Sequence, residues 1–108
     1  MENKSITCEV VNEIKDGEVL ELKNPIMING EQVTFIKYDT KNLTGGSVEK
    51  AIKELAKRKI AVAVPEIDVL LHCQLFADAS NLDYTDIQRL SMSDYLKATS
   101  IIRDFFID

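Results

Sequence analysis

The dipeptide Asn29-Gly30 constrains the fold of this chain more than any other feature, because it lies between two short apolar stretches. A type I′ turn requires positive φ at both central residues, and Asn and Gly tolerate that conformation best. The flanking apolar residues are Ile26, Ile28, Val33 and Phe35. Alternate residues of a strand share a face, so one side of the paired strands can be apolar. The sequence therefore predicts an antiparallel β-hairpin over residues 18–38.

A second turn dipeptide, Asp16-Gly17, precedes this hairpin and allows a three-stranded meander instead. The additional strand would lie near Ile6–Glu13, and the alternative is that residues 1–17 form a mobile tail. Pro25 has no amide to donate to a ladder, so the strand that contains it is either an edge strand or is interrupted at Asn24-Pro25.

The remainder of the chain is predicted to be helical. Thr44-Gly45-Gly46-Ser47 is typical of a helix start, with Thr44 or Ser47 as the capping residue. The helix that follows has an apolar stripe at steps of three and four residues, made of Val48, Ala51, Ile52, Leu55 and Ala56. The run Ile60–Val64 is too short to classify by its period, and an extended or irregular linker is favoured over continuation of the helix as far as Pro65.

Pro65 suits the first position of a second helix, where its missing amide costs nothing. This helix is apolar nearly all the way round, which indicates that it is either central or part of an interface. A short helix from about Tyr84 to Leu90 is expected next. Ser91 then begins a near-match to a capping box with Asp94, in front of a last helix whose predicted apolar stripe is Met92, Tyr95, Leu96, Thr99, Ile102, Phe105 and Phe106.

These patterns together predict an α+β fold in one domain, residues 1–108. Its N-terminal part is an antiparallel β-hairpin or a three-stranded meander, and residues 44–108 form a small bundle of three to four helices. A chain of 108 residues is long enough to bury a core of its own.

Composition excludes several functional classes. The formal charge of −5 and the pI near 4.9 argue against a nucleic-acid partner, which would need clustered Lys and Arg. Cys8 and Cys73 have no metal-site or disulfide-framework spacing, so free thiols in a reducing compartment are expected. No signal sequence or membrane-spanning stretch is visible, and the cytoplasm is the expected location.

No catalytic, metal-binding or cofactor-binding residue can be assigned from the sequence. His72 is the only histidine, and it and Cys73 are neighbours on a helix, so they point about 100° apart and do not act on one atom. The acidic residues near Glu66 and Asp94 lack the alternating ligands of a calcium loop and are better explained as helix caps. The chain is therefore predicted to be a binding protein and not an enzyme.

Two apolar helices in so short a chain suggest that part of their surface faces a partner or another copy of the chain. The second helix and the last helix supply the residues of this predicted contact surface. They are Leu70, Leu71, Leu75, Phe76, Tyr95, Ile102, Phe105 and Phe106.

Three stretches, in this order and spacing, resemble a known family. They are Leu22–Glu31, with the sequence LKNPIMINGE, then Leu43-Thr44-Gly45, and finally Asp86–Tyr95, with the sequence DIQRLSMSDY. The pattern resembles the small tail assembly chaperones of long-tailed bacteriophages and prophages, especially those with contractile tails, and it covers most of the chain.

The resemblance implies a non-enzymatic chaperone that binds the tape measure protein and helps tail tube subunits polymerise around it. It implies a homo-oligomer in the cytoplasm of the bacterial host, absent from the mature virion, with the tail tube protein and a longer frameshifted form of itself as further partners. A membrane or nucleic-acid partner is not expected. The alternatives are a structural tail component retained in the virion and a small phage regulatory protein.

Overall fold

A computed structural model of the chain describes residues 17–41 and 43–107, which form an antiparallel β-hairpin followed by four helices. The strands are β1 (Glu18–Ile28) and β2 (Glu31–Tyr38), and the helices are α1 (Gly45–Lys57), α2 (Val69–Ser80), α3 (Tyr84–Gln88) and α4 (Met92–Ile107). The predicted α+β class is confirmed. The first strand expected near Ile6–Glu13, and with it Cys8, lies outside the described residues.

The turn between β1 and β2 has the backbone that its sequence predicts. Asn29 has a φ of 53° and Gly30 a φ of 81°, so both central residues are in the left-handed region. Asn and Gly adopt that region at low cost, which makes this dipeptide a local determinant of the hairpin.

β1 contains a large bulge at the place where the sequence predicts an interruption. Glu21 pairs with Phe35 and Ile26 with Val33, so the four residues 22–25 face only Thr34 on β2. Pro25 lies within this bulge, where its lack of an amide removes no ladder hydrogen bond. Within the bulge, Lys23 and Asn24 have no partner residue on β2 with which their amides can pair.

α1 is capped by Thr44, which decides between the two capping residues that the sequence offers. The Thr44 side chain accepts a hydrogen bond from the Ser47 amide, and the Ser47 hydroxyl accepts one from the Thr44 amide. Within the predicted apolar stripe of this helix, Ala51 and Leu55 are buried, Val48 and Ile52 are partly buried, and Ala56 is exposed. The chain from Ile60 to Val64 is irregular, as predicted.

The predicted start of the second helix at Pro65 is wrong. Residues 65–67 form a turn, in which the Ile67 amide donates to the carbonyl of Val64, and α2 begins at Val69. The reason is that Asp68 caps the helix, since its side chain accepts a hydrogen bond from the Leu71 amide at 3.0 Å. The Pro65 carbonyl is instead bonded to the His72 side chain.

α2 is the centre of the fold, which is one of the two positions that the sequence allows for this helix. It contacts β2 and each of the other three helices, and almost all of its residues from Leu71 to Ser80 are buried. The Phe76 ring packs against Tyr38 of β2 with ring centroids 5.3 Å apart. The Asp39 amide, just after β2, donates to the Ala79 carbonyl and holds the hairpin to this helix.

α3 and α4 also begin with capping side chains, and for α3 the sequence offers Asp83 or Thr85. Asp83 caps α3, which ends at Gln88, two residues earlier than predicted. The Ser91 hydroxyl accepts a hydrogen bond from the Asp94 amide at the start of α4. A cation–π contact places the Arg58 guanidinium 4.6 Å from the centre of the Tyr84 ring and ties the end of α1 to α3.

Candidate protein-binding surfaces

Asp94 links the first turn of α4 to the bulge of β1. Its carboxylate accepts hydrogen bonds from the amides of Lys23 and Asn24, at 2.9 and 3.0 Å, and from the Ser91 hydroxyl at 3.1 Å. The side chain is 0 % exposed. A buried charge is tolerated where several donors surround it, and here two of the donors are the amides that the bulge withdraws from the sheet.

These hydrogen bonds decide the charge of Asp94. Burial by itself would raise the pKa of the carboxyl, but the Lys23 and Asn24 amides, the Ser91 hydroxyl and the nearby Lys97 ammonium favour the ionised form, and the pKa lies below its usual range. Asp94 is therefore an anion at neutral pH. It stabilises the fold and is unsuited to act as a proton donor.

Arg89, between α3 and α4, makes a second link to β1. Its guanidinium donates to the Met27 carbonyl at 2.7 Å and to the Asp86 carboxylate at 2.8 Å. The segments 22–31 and 86–95, which carry most of the resemblance, thus contact each other through the hydrogen bonds of Asp94 and of Arg89. Several of their residues serve the fold at this place.

His72 is a structural residue in this fold. It is buried, and its Nε2 lies 2.9 Å from the Pro65 carbonyl, which accepts the hydrogen bond from the neutral ring. Burial lowers its pKa, with a smaller contribution in the same direction from Arg103, and these outweigh the opposing effects of the Pro65 carbonyl and Asp68. The ring packs beside Phe106. His72 thus fixes the turn before α2.

Cys73 has the properties of a core thiol. Burial raises its pKa to about 11, even though a hydrogen bond with Tyr95 and the charge of Arg58 act in the opposite direction. A thiol with so high a pKa is not a nucleophile at neutral pH. Within residues 17–41 and 43–107 there is also no cluster of three His, Cys, Asp or Glu side chains that could hold a metal ion.

The predicted contact surface divides between the core and the exterior. Leu71, Leu75, Phe76 and Ile102 are buried, Tyr95 and Phe106 are partly buried, and Leu70 and Phe105 are exposed. A charge at Leu71 would therefore test folding before it could test binding. The exposed or partly exposed members are the ones that a partner can reach in this structure.

Four of these eight residues meet in one apolar groove between α1 and α4, here called the α1–α4 groove. Its volume is about 310 Å³, and its lining residues are Leu43, Thr44, Gly45, Val48, Leu75, Ile102, Phe105 and Phe106. Leu75 and Ile102 are almost inaccessible and form the floor, whereas Phe105 is 58 % exposed at the rim. No lining residue is charged, so the groove is suited to an apolar side chain of a partner.

Phe105 also borders a second depression of about 590 Å³, at the open end of the hairpin near Gly17 and Tyr38. There the Tyr38 hydroxyl donates to the Glu18 carboxylate at 3.0 Å. Burial first, and then the hydrogen bond and the charge of Glu18, raise the pKa of Tyr38 to about 12, so the phenol stays neutral. The exposed Phe105 ring thus separates an apolar groove from a more polar one.

The opposite side of α4 forms a different groove with the start of α2, here called the α2–α4 groove. Its volume is about 530 Å³, and it is lined by Val69, His72, Ser93, Leu96, Lys97, Thr99, Ser100 and Arg103. At about 100° per residue, Ser93, Lys97 and Ser100 project roughly 150° away from the side that carries Ile102 and Phe105. The two grooves are therefore separate surfaces.

The sequence-based prediction placed Met92 and Leu96 on the wrong side of the last helix. Met92 and Leu96 belong to the predicted apolar stripe, but they are 78 % and 52 % exposed. The side of α4 that faces the core instead includes Ala98 and Asp94, both fully buried. The sequence signal for the buried side was the small residue Ala98, which suits a close contact between helices. Ala98 lies one turn from Ile102, and Asp94 lies one turn from Ala98.

Comparisons of this chain with protein-family models, with curated proteins and with solved structures found no match. Among the described residues, no helix is both long enough and apolar enough to cross a membrane.

Proposed function

We propose that this protein is a non-enzymatic chaperone of bacteriophage tail assembly, which binds the tape measure protein and promotes tail tube assembly around it. The observation that carries the proposal is the α1–α4 groove, an uncharged apolar surface with an exposed aromatic ring at its rim. It brings together Leu75, Ile102, Phe105 and Phe106, half of the residues that the sequence assigns to a contact surface. The resemblance in sequence supplies the identity of the client.

The groove suits a long helical client in three respects. It lies between two helices, the arrangement in which an apolar side chain of a third helix can be received. Phe105 supplies a rigid aromatic contact, which is the type of residue that dominates binding energy in interfaces. A groove of about 310 Å³ holds one or two side chains, so several copies of the chaperone would be needed to cover an extended client.

The surroundings of the groove support binding and not chemistry. Within the described part of the chain, His72, Cys73 and Asp94 are buried, and each of the three is engaged by contacts that serve the fold. The same proposal places the protein in the host cytoplasm as a homo-oligomer that leaves before the virion is complete. Tail tube subunits and a longer frameshifted form are its further partners in this proposal.

The test is co-expression with the longest tail gene product encoded next to it, which this proposal takes to be the tape measure protein, from DNA that includes the downstream reading frame so that any longer form is also made. We expect the client to become soluble and to co-purify with several copies of the chaperone. Phe105→Asp should abolish co-purification, since it places a charge at the rim of the apolar groove. A client that stays insoluble, or that binds Phe105→Asp as well as the original chain, would overturn the proposal.

Val19→Asp is the matched control for this experiment. Val19 is 49 % exposed on β1, opposite Lys37, and borders neither groove, so the new carboxylate is accommodated and the change in charge is identical. Circular dichroism melting curves of both variants should match those of the original chain. Mass spectrometry of purified virions should then detect the tail tube but not this protein, which separates an assembly chaperone from a structural component.

A further inference from the structure

The α2–α4 groove has a charge opposite to that of the whole chain. The charged side chains that line it are Lys97 and Arg103, both cations, whereas the chain has a formal charge of −5. Neither side chain forms a salt bridge with another residue of the described segments. The Lys97 charge lowers the pKa of Asp94, which is fully buried, and the Arg103 charge lowers the pKa of His72. Both cations therefore remain available to a ligand.

Exposed apolar side chains lie between and beside these cations. Val69, 42 % exposed, lies on the α2 wall of the groove, and Leu96, 52 % exposed, lies on the α4 wall. Met92 extends the same side of α4 by one turn, and Ile67 is exposed just before α2. The result is an apolar strip that Arg103 continues two turns after Leu96, with Lys97 about 100° away to one side.

Two of the three hydroxyl groups that line the groove, those of Thr99 and Ser100, are already used within α4. Thr99 donates to the carbonyl of Tyr95, and Ser100 donates to the carbonyl of Lys97. These hydroxyls add no free donor for a polar ligand. Apart from the Ser93 hydroxyl, specificity in this groove must therefore come from its shape, its apolar strip and its two cations.

We propose that the α2–α4 groove binds an amphipathic helix of another protein that carries carboxylates beside its apolar ridge. Ser93 and Arg103 are ten residues apart on α4, which corresponds to about 15 Å, or nearly three helical turns. Lys97 and Arg103 are separated by about 9 Å along the same axis and by about 120° around it, so they approach a partner helix from two sides. Apolar anchors of that helix contact Val69 and Leu96, and its carboxylates approach the two cations.

The observations favour this partner over other anionic surfaces. A nucleic acid would need more phosphate contacts than two cations supply on an acidic protein, and it would gain nothing from the apolar strip. A lipid bilayer is met best by a convex surface, whereas Val69 and Leu96 line a concavity. The inference does not depend on the proposed function, since this groove lies on the opposite side of α4 from Phe105.

The experiment uses three synthetic helical peptides of about 18 residues with the same Leu and Ile ridge. Their flanking positions carry Glu, Gln or Lys, and binding to the full chain is measured by fluorescence anisotropy at low and high salt. We expect the Glu peptide to bind about tenfold more tightly than the Lys peptide, with the Gln peptide between them. High salt should reduce this difference, because exposed charge pairs are screened.

Two variants of the groove complete the test. Lys97→Glu combined with Arg103→Glu should reverse the order of the Glu and Lys peptides, and Leu96→Asp should weaken the binding of all three. These three residues are exposed, so the variants are expected to fold, which circular dichroism checks. Phe105→Asp is the control and should leave peptide binding unchanged, even where it abolishes binding of the tape measure protein.

Several results would overturn the inference. Equal affinity for the Glu and Lys peptides would show that the cations do not select the partner, and an unchanged affinity of Leu96→Asp would place the peptides elsewhere. Absence of binding by all three peptides would have the same consequence. So would binding to phosphatidylserine vesicles that depends on Lys97 and Arg103 while the Glu peptide fails to bind, since a membrane would then be the ligand.

Discussion

The two ends of α4 are built in opposite ways. At its start, Asp94 is wholly buried and each oxygen of its carboxylate accepts a hydrogen bond from a backbone amide of the β1 bulge. At its end, Phe105 is more than half exposed at the rim of an uncharged groove. A polar side chain is thus buried in contacts with β1 near the start of the helix, and an apolar side chain is exposed at the rim of a groove near its end. The difference separates the residues that maintain the fold from those that are available to a partner.

The largest effect is expected at the buried end. Asp94→Ala leaves the amides of Lys23 and Asn24 without an acceptor, and we expect it to lower the free energy of unfolding by about 3 kcal/mol. Urea denaturation followed by circular dichroism measures this loss. A change below about 1 kcal/mol would mean that water replaces the carboxylate at little cost, and the contrast between the two ends would fail.

This buried end also marks the limit of prediction from sequence. Ser91 and Asp94 were recognisable as a helix cap because the pattern extends over only four residues. The amide of Lys23 that Asp94 accepts from is 71 residues away in the chain, and no local pattern connects the two. The same distinction explains the hairpin, since Asn29 and Gly30 determine their own turn with backbone preferences that act within two residues.

The error at the start of α2 has a similar cause. Pro65 is compatible with a first helical position, but Asp68 is the better cap and the Pro65 carbonyl is bonded to His72. The predicted contact surface was limited in another way. A helical period places residues on one side of a helix, but it does not say how far the neighbouring helix covers that side. Leu70 and Leu71 are adjacent in sequence, yet one is exposed and the other is in the core.

Acidification should weaken the contacts of Asp94 at the buried end of α4. The pKa of Asp94 is lower in the folded chain than the value of about 4 expected when it is unfolded. The unfolded state therefore binds more protons, so the stabilisation is complete above about pH 4 and is lost as the pH falls further. Unfolding free energies of the original chain and Asp94→Asn, measured from pH 6 to pH 2.5, should converge at the acidic end. Parallel curves would contradict this account.

His72 should add a separate loss at higher pH. Its pKa is also lowered by folding, so the unfolded chain takes up a proton first, and stability should begin to decrease below about pH 6.5. His72→Gln keeps a donor near the Pro65 carbonyl but does not titrate, and it should remove this part of the pH dependence. An unchanged slope between pH 6.5 and pH 5 in that variant would assign the effect to other groups.

A smaller effect is expected for the second link at the buried end. Arg89→Ala removes the hydrogen bonds to the Met27 carbonyl and to Asp86, but the guanidinium is about half exposed and the pair is screened by solvent. We expect a loss of about 0.5 kcal/mol. Urea denaturation of the double variant with Asp94→Ala would show whether the two links are coupled. A loss for Arg89→Ala as large as that for Asp94→Ala would mean that solvent exposure does not determine how much these two contacts contribute to the free energy of unfolding.

The smallest effect on stability is expected at the exposed end. Phe105→Ser removes a ring that is 58 % accessible, whereas the groove floor of Leu75 and Ile102 remains in place. We expect the free energy of unfolding to change by no more than about 0.5 kcal/mol, because most of the ring is already in contact with water. Urea denaturation measured beside Asp94→Ala gives the comparison directly. If Phe105→Ser lost more than about 1.5 kcal/mol, the ring would belong to the core of the fold, and its availability to a client would have to be abandoned.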